Sequence, residues 1–406
     1  MATEVQRVSA TSAPPARRLR LVLVIGSLFA FGPLSMDAYL PGLPALGRDL
    51  GGSASATQAT ITGCLVGLAA GQLRVGPLSD ALGRRRPLLV GIAVYVAASI
   101  LCAIAPSMWV LVVVRVLQGL AGAAGIVIAR AVVRDLHSGA AAAQFFALLM
   151  LVTTLAPILA PILGAQILRI GSWRAVFFAL AIAGGVIFVG AAGELPETLP
   201  ASRRRRGGLR ELPAAFRLLL GDRAFVAHVL AAGLPFAAMF PYIAGSPFVL
   251  EEVYGLSPQS YGAVFGGNAF GIMLSSQASR LLVSRLGARR LLLAGLVLGA
   301  CGSGLFLVGV VAHLDLAIVL VALFLAIGSM GLVLPNAAAL ALADRPQLAG
   351  TASALLGVSQ FALGAAIAPV VGSAGARTAL PMAVVMASFA VAGLLDLLLV
   401  APRRHA

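Results

Sequence analysis

An aspartate, Asp37, stands near the end of an apolar run that begins near Leu19, within "FGPLSMDAYLPGLPAL" (31–46). A carboxylate in hydrocarbon costs about 2.5–3.5 kcal/mol on insertion scales, so the position calls for a proton, a partner or a capping duty. A second polar set lies in "VVVRVLQGLAGAAGIVIAR" (112–130), where Arg115 and Gln118, three apart, share one side of a helix, as do Gly119 and Gly122. A third is "GPLSDALGRRRPLLVG" (76–91). Here Asp80 can accept from an arginine or from an exposed helix N-terminus, while Gly76 and Gly83 permit close helix approach and a tight turn. An acid and a guanidinium inside an apolar chain offer reversible proton binding, and the elements around them decide whether they meet.

Those elements are membrane spans. The chain has 406 residues, 60% hydrophobic and 11% charged, with mean hydropathy +1.01, values outside the range of water-soluble domains. Reading apolar stretches of about 20 residues as helices gives about twelve spans, centred near residues 29, 66, 96, 118, 156, 182, 235, 268, 300, 325, 360 and 389. The chain divides into a polar tail (1–18), six helices (19–194), a linker (195–222), six more helices (223–400) and a short tail (401–406). No small-x-small cleavage site closes the first span, so it is read as retained.

The net charge of +15 and a pI near 11.4 would suggest nucleic acid in a soluble protein. All 29 basic residues are arginine, and 22 of the 29 fall on one side of the spans when the N-terminus is placed inside. Sidedness therefore accounts for the charge, places both ends in the cytoplasm and excludes a nucleic-acid role. The run Arg203 to Arg206 belongs to the linker. Lysine is absent while Ala and Gly abound, a composition that suggests a GC-rich bacterium as the source. Cys64, Cys102 and Cys301 lie within spans, which argues against a disulfide framework.

"GPLSDALGRRRPLLVG" has a second copy, "RLLVSRLGARRLLLAG" (280–295), at an offset of 204 positions, aligning Gly83 with Gly287 and Arg85 with Arg289. A repeat of half the chain with an even number of helices per half implies two parallel bundles related by an axis along the membrane normal. Ser284 stands where the first copy has Asp80.

With that architecture, Gly76, Asp80, Gly83, Arg84, Arg85 and Arg86 resemble the loop signature G-x-x-x-D-x-x-G-R-R/K of the major facilitator superfamily. The resemblance implies an all-α integral membrane fold of twelve helices and a cytoplasmic latch between the halves, for which Gly350 and Thr351 would supply the helix end that Asp80 meets. Arg115, Gln118 and Gly119 resemble the fourth-helix signature R-x-x-Q-G-x-G, whose arginine couples to protons; the competing role is to tie carbonyls of neighbouring helices. "LAPILAPILGAQIL" (155–168) is similar to the fifth-helix antiporter signature, with Pro157, Pro161 and Gly164 as a hinge, although Ala160 and Ala165 depart from it; a plain proline kink is the alternative. "MDAYLPGLPAL" and "FPYIAGSPFVLEEVYGLSPQSYGAVFGGNAFG" resemble the Bcr/CflA group of drug-efflux transporters. That resemblance implies a bacterial cytoplasmic-membrane antiporter that exports bicyclomycin- or amphenicol-like molecules against protons.

On this reading Asp37 lies roughly 27 Å along the first helix at 1.5 Å per residue, in the outer part of the membrane, carrying a proton with Arg115 as its partner. The alternative is that Asp37 caps the turn at "YLPGLP". Asp396 sits near the end of the last span, where the interface can solvate it. Expected cavity residues are Phe29, Phe31, Met36, Tyr39 and Gln118 from the first half, and Phe236, Met239, Phe240, Tyr242 and Asn268 from the second; aromatics and methionines make adaptable walls. The expected partners are a small drug-like molecule, protons and the bilayer, with the chain working as a monomer. No cofactor or metal is expected, because His137, His228, His313 and His405 are scattered and no carboxylate or cysteine stands at ligand spacing. No enzyme motif or channel filter appears. A sugar or metabolite transporter on the same fold is the remaining alternative.

Overall fold

Chain segments immersed in lipid must satisfy every backbone amide internally, which leaves helices or closed barrels. The computed structural model describes residues 15–136, 139–204, 221, 223–342 and 378–399, and every regular element among them is helical. The first half holds α1 (Pro15–Asp37), a 3-10 turn (Leu40–Gly42), the short α2 (Leu43–Asp49), α3 (Ala54–Leu82), α4 (Arg85–Ala103), α5 (Met108–Leu136), α6 (Gly139–Ile170) and α7 (Trp173–Glu194). The second half holds α8 (Arg223–Pro247), continued by a π-helical segment (Phe248–Val253), then α9 (Pro258–Leu286), α10 (Ala288–Val311), α11 (Leu316–Gly328), α12 (Met330–Leu342) and α13 (Leu380–Leu399). The span expected near residue 360, with Gly350 and Thr351, lies outside the described residues. Among the described residues, nine segments are long and apolar enough to cross a membrane.

The offset of 204 seen in the loops extends through the structure. Ser53 and Ser257 both cap the helix that follows, each hydroxyl accepting a backbone N–H at 3.2 Å (from Ala56 and Ser260). The caps start α3 and α9, each 29 residues long. Both helices end at glycines of positive φ, Gly83 at 95° and Gly287 at 78°, a backbone region open to glycine and strained for other residues. The same caps and the same stops thus build the same hairpin twice.

Close packing of α3 against α5 depends on absent side chains. A Cβ at Gly67 would lie 2.0 Å from the Val116 carbonyl oxygen, and one at Gly119 2.0 Å from that of Cys64. Small residues of this kind let two backbones touch where lipid supplies no hydrophobic drive for association. At Gly76 the nearest atom to an added Cβ is 3.8 Å away, so the close approach falls at Gly67, earlier in α3, and at Gly119 of α5.

The halves meet at the end of the molecule that carries Arg48. Tyr39, Leu40 and Leu43 share one buried cluster with Phe248, Leu250 and Tyr261 of the second half. Gln259 Nε2 donates to the Ala165 carbonyl at 2.9 Å, and a Cβ at Gly262 would lie 2.9 Å from the Pro161 carbonyl. Outward faces such as Ile182, Val186 and Val189 are exposed, as side chains that face lipid must be.

Candidate functional site

The fully buried Arg115 organises the interior of the first half. Its Nε donates to the Thr60 carbonyl at 3.3 Å and its Nη1 to Gln118 Oε1 at 2.5 Å. Gln118 Nε2 in turn donates to Ser99 Oγ at 2.8 Å. The guanidinium lies over the Tyr39 ring, 4.4 Å from its centre, with Phe177 at 5.6 Å; such stacking suits a planar cation out of water. Tyr39 and Thr60 share a hydroxyl hydrogen bond of 3.0 Å. Nη2 has no partner. Tyr39 after α1, Thr60 of α3, Gln118 of α5 and Phe177 of α7 thus converge on one cation, and Ser99 of α4 holds Gln118 in place.

Among the described residues the second half has no counterpart of this network. Adding 204 to Tyr39 and Thr60 gives Ile243 and Val264; in the fourth span of each half the packing matches at an offset of 208, which sets Arg115 and Gln118 against Leu323 and Ala326, both buried. Among the described residues the second half therefore has apolar side chains at the places of this network, on a scaffold both halves share.

Asp37 closes α1 and is 8% exposed. The 3-10 turn and α2 that follow have no side-chain cap, so Asp37 does not perform the capping duty considered above. No ion pair joins Asp37 to Arg115 among the described residues; Arg115 is engaged by Tyr39, two positions further along. The carboxylate lies within electrostatic range of Cys64 in its own half and of Tyr242 and Tyr261 in the other. It faces the junction of the halves.

Across that junction Tyr242 accepts from Asn268 Nδ2 at 2.8 Å and stacks on Phe265 at 5.2 Å, while Phe236 and Phe240 meet edge to face at 5.5 Å. Phe240, Tyr242 and Met36 belong to the shared cluster of the two halves, with Phe236 and Met239 packed against it. Phe29 and Phe31 belong instead to the first half's own core. Gly164 meets the end of α1, where an added Cβ would lie 1.7 Å from the Ala38 carbonyl. Pro157 and Pro161 lie inside the continuous helix α6, and the α9 backbone at Gly262 packs on Pro161.

At the opposite end the loop residues form a charged knot. Arg84, its side chain 9% exposed, donates Nη1 to Asp80 Oδ1 at 2.5 Å and Nε to Asp135 Oδ2 at 3.0 Å. Glu197, just after α7, accepts the backbone N–H of Arg84 at 2.7 Å and that of Arg85 at 3.3 Å, and Arg85 Nη2 donates to the Ala192 carbonyl at 2.7 Å. Partial burial alone would raise Glu197, but the N–H groups of Arg84, Leu199 and Arg85 and the Arg204 guanidinium hold its carboxyl below the usual range. These contacts tie α3, α4, α5 and α7 of one half. Half-exposed Asp80 lies at their edge, and the helix end expected to meet it is outside the described residues.

Sequence reading missed Asp135, Glu197, Ser99, Thr60 and Arg48. A signal existed for one of them, since Arg48 and Glu252 are 204 positions apart. Asp396, expected to be solvated, is 9% exposed, and its Oδ2 has no hydrogen-bond partner among the described residues, because α13 carries it inward beside buried Leu397.

Two helical halves around a junction lined by buried polar groups define a polytopic membrane transporter, and solved transporters share the fold. A D-xylose-proton symporter superposes with TM-score 0.73 at 14% identity, covering 95% of this chain and 97% of that one; a bacterial homolog of the human lysosomal transporter Spinster, inward-facing and unoccupied, gives 0.70 at 15%, covering 96% of each. The chain belongs to the Major Facilitator Superfamily, whose family model matches residues 23–369. It is 38% identical over 382 residues to the uncharacterized MFS-type transporter YdgK of Bacillus subtilis (strain 168), covering 93% of this chain and 94% of that protein. To a bicyclomycin resistance protein homolog of Haemophilus influenzae it is 30% identical over 376 residues, covering 92% and 94%. To the multidrug resistance protein MdtL of Vibrio parahaemolyticus it is 27% identical over 284 residues, covering 70% and 71%. These relatives agree with membership of the Bcr/CflA group.

Proposed function

We propose that this protein is a proton-coupled exporter of small amphipathic drug-like molecules, working by alternating access. The observation that carries the reading is Asp37, a buried carboxylate at the junction of the halves with neither ion pair nor cap. Its charge has no partner among the described residues, so its cost depends on access to water, and alternating access changes that access from one side to the other. Asp37 takes the proton from outside and releases it inside as drug leaves. Arg115, held as a permanent cation against Tyr39, two positions after Asp37, biases that release through the Tyr39 segment.

Positive-inside sidedness puts the Arg84 knot and both termini in the cytoplasm, and the Arg48 end outside. The contacts between halves at the Arg48 end then correspond to a state closed to the outside. Relatives named for bicyclomycin and multidrug resistance support drug-like substrates.

The test is a drug panel on a pump-deleted bacterial host with and without this protein, paired with proton-driven drug uptake into everted vesicles. Protection together with such uptake upholds the reading. Uptake of a sugar or metabolite into whole cells, without protection, would replace it with the alternative.

A further inference from the structure

The end of α8 nearest Arg48 carries two consecutive carboxylates in unlike surroundings. Glu252 is taken by Arg48 at 2.8 Å. Glu251 is partly buried, and its Oε1, shielded from solvent, has no hydrogen-bond partner among the described residues. The turn that holds both is π-helical (Phe248–Val253), with the Tyr254 N–H reaching back five residues to the Val249 carbonyl at 3.0 Å. Single π turns of this kind recur at functional sites. A shielded acid oxygen without a partner costs free energy, and the ion pair beside it makes no use of it.

Glu251 and Asp37 have a neighbour in common. Tyr261 of α9, fully buried between the halves, lies within electrostatic range of both carboxylates, and its hydroxyl shares a hydrogen bond of 3.1 Å with Ser246. Tyr242, one helical turn before Ser246, is also within range of Asp37. Phe265 packs on both rings, at 5.2 Å from Tyr242 and 6.0 Å from Tyr261 between centres. From Tyr242 to Glu251 the helix advances roughly 13 Å at 1.5 Å per residue. Hydroxyl groups are thus spread over the distance between the two acids, inside an otherwise apolar cluster. The other charged groups within range of Glu251 are Arg48 of α2 and Glu252 beside it; around Asp37 they are Cys64, Tyr242 and Tyr261.

We propose that Glu251 is the entry point of the proton, taking it from outer water and passing it through the Tyr261 hydroxyl to the Asp37 carboxylate. The proposal rests on the reading of Asp37 as the proton carrier and of the Arg48 end as the outer one. Tyr261 gives up its hydroxyl proton as it receives one, so the step leaves Glu251 ionised, Asp37 neutral and Tyr261 unchanged, with no other reagent consumed. It falls when the outer end opens, the Arg48–Glu252 pair parts and water reaches the junction, because a proton crosses one bridging water as it does a direct contact. An anionic group at the mouth also raises the local supply of cations.

The test needs no drug. A hydrophobic carbodiimide modifies carboxyls only in their protonated form, and mass spectrometry of peptides from the full chain in right-side-out vesicles reads Asp37. With the lumen buffered alkaline and the outer buffer acid, the initial rate of Asp37 modification in Glu251→Gln should fall about tenfold below wild type. Glu251→Asp, which still titrates, should stay within about threefold, and Tyr261→Phe, which keeps the ring, should slow the reaction as Glu251→Gln does. With both sides acid, Asp37 is reached from the cytoplasmic side and should react equally in all variants, which shows that each is folded. An equal rate in wild type and Glu251→Gln under outer acid overturns the entry role and leaves Asp37 as carrier. Unequal rates with both sides acid, or slowing that disappears in an Arg48→Ala background, would mean that Glu251 acts through packing or the outer gate, and overturn it too. Asp37 modification that ignores outer pH in the wild type sinks the carrier reading, and the entry role with it.

Discussion

Arg48 Nη1 and Glu252 Oε1 lie 2.8 Å apart across the two halves, and they are separated by 204 positions, the offset that relates one half to the other. A pair of equivalent positions can touch only near the axis between the halves. This ion pair therefore sits where outer opening must pull the halves apart, with Glu252 carried on the π-helical end of α8.

Breaking the pair should favour the state open at that end. Side-chain exposures of 68% and 31% keep the contribution small, about 0.2–1 kcal/mol, so Arg48→Ala or Glu252→Gln shifts the open-to-closed ratio roughly 1.5- to 5-fold. Spin labels at Ser55 and Ser260 report the separation by pulsed distance measurement. The charge swap of Arg48→Glu with Glu252→Arg should restore the closed fraction, and unchanged distances in all variants would remove the gate role.

Asp37→Asn keeps the shape and polar oxygen of the side chain but cannot titrate. Export against a gradient should fall by more than about tenfold, and its dependence on external pH should vanish. Drug binding should stay within about threefold of wild type. Uphill export by the variant would assign coupling to another residue.

Arg115→Lys retains the charge but loses the planar stack on Tyr39 and the simultaneous reach to Thr60 and Gln118. The expected cost is about 1–3 kcal/mol, since buried acceptors are left unmet. A lowered denaturation midpoint in detergent checks it. A midpoint equal to wild type would show that charge alone suffices at this position.

Glu197 sets a pH dependence at the Arg84 end. Its folded carboxyl is held below its ordinary value of 4.5, so its stabilisation is present above that value and lost as pH falls through the lower folded one. Wild-type thermal stability should therefore drop more steeply below pH 4.5 than that of Glu197→Gln. Parallel curves would mean that the backbone bonds to Glu197 do not depend on its charge.

Hydropathy alone determined that this chain is a membrane protein, because lipid tolerates so few charges that each departure stands out. That is why Asp37, Arg115 and the Arg84 loop were legible as sites, and why the repeated loop disclosed two related halves. Spacing along one helix also paired Arg115 with Gln118, since neighbours three apart share a side by geometry. Facing was not legible. Spans that are apolar on every side carry no periodic signal of what they touch, so only the tertiary structure placed Tyr39 under Arg115, Glu197 on the backbone of Arg84, and Asp37 away from the arginine expected to pair with it.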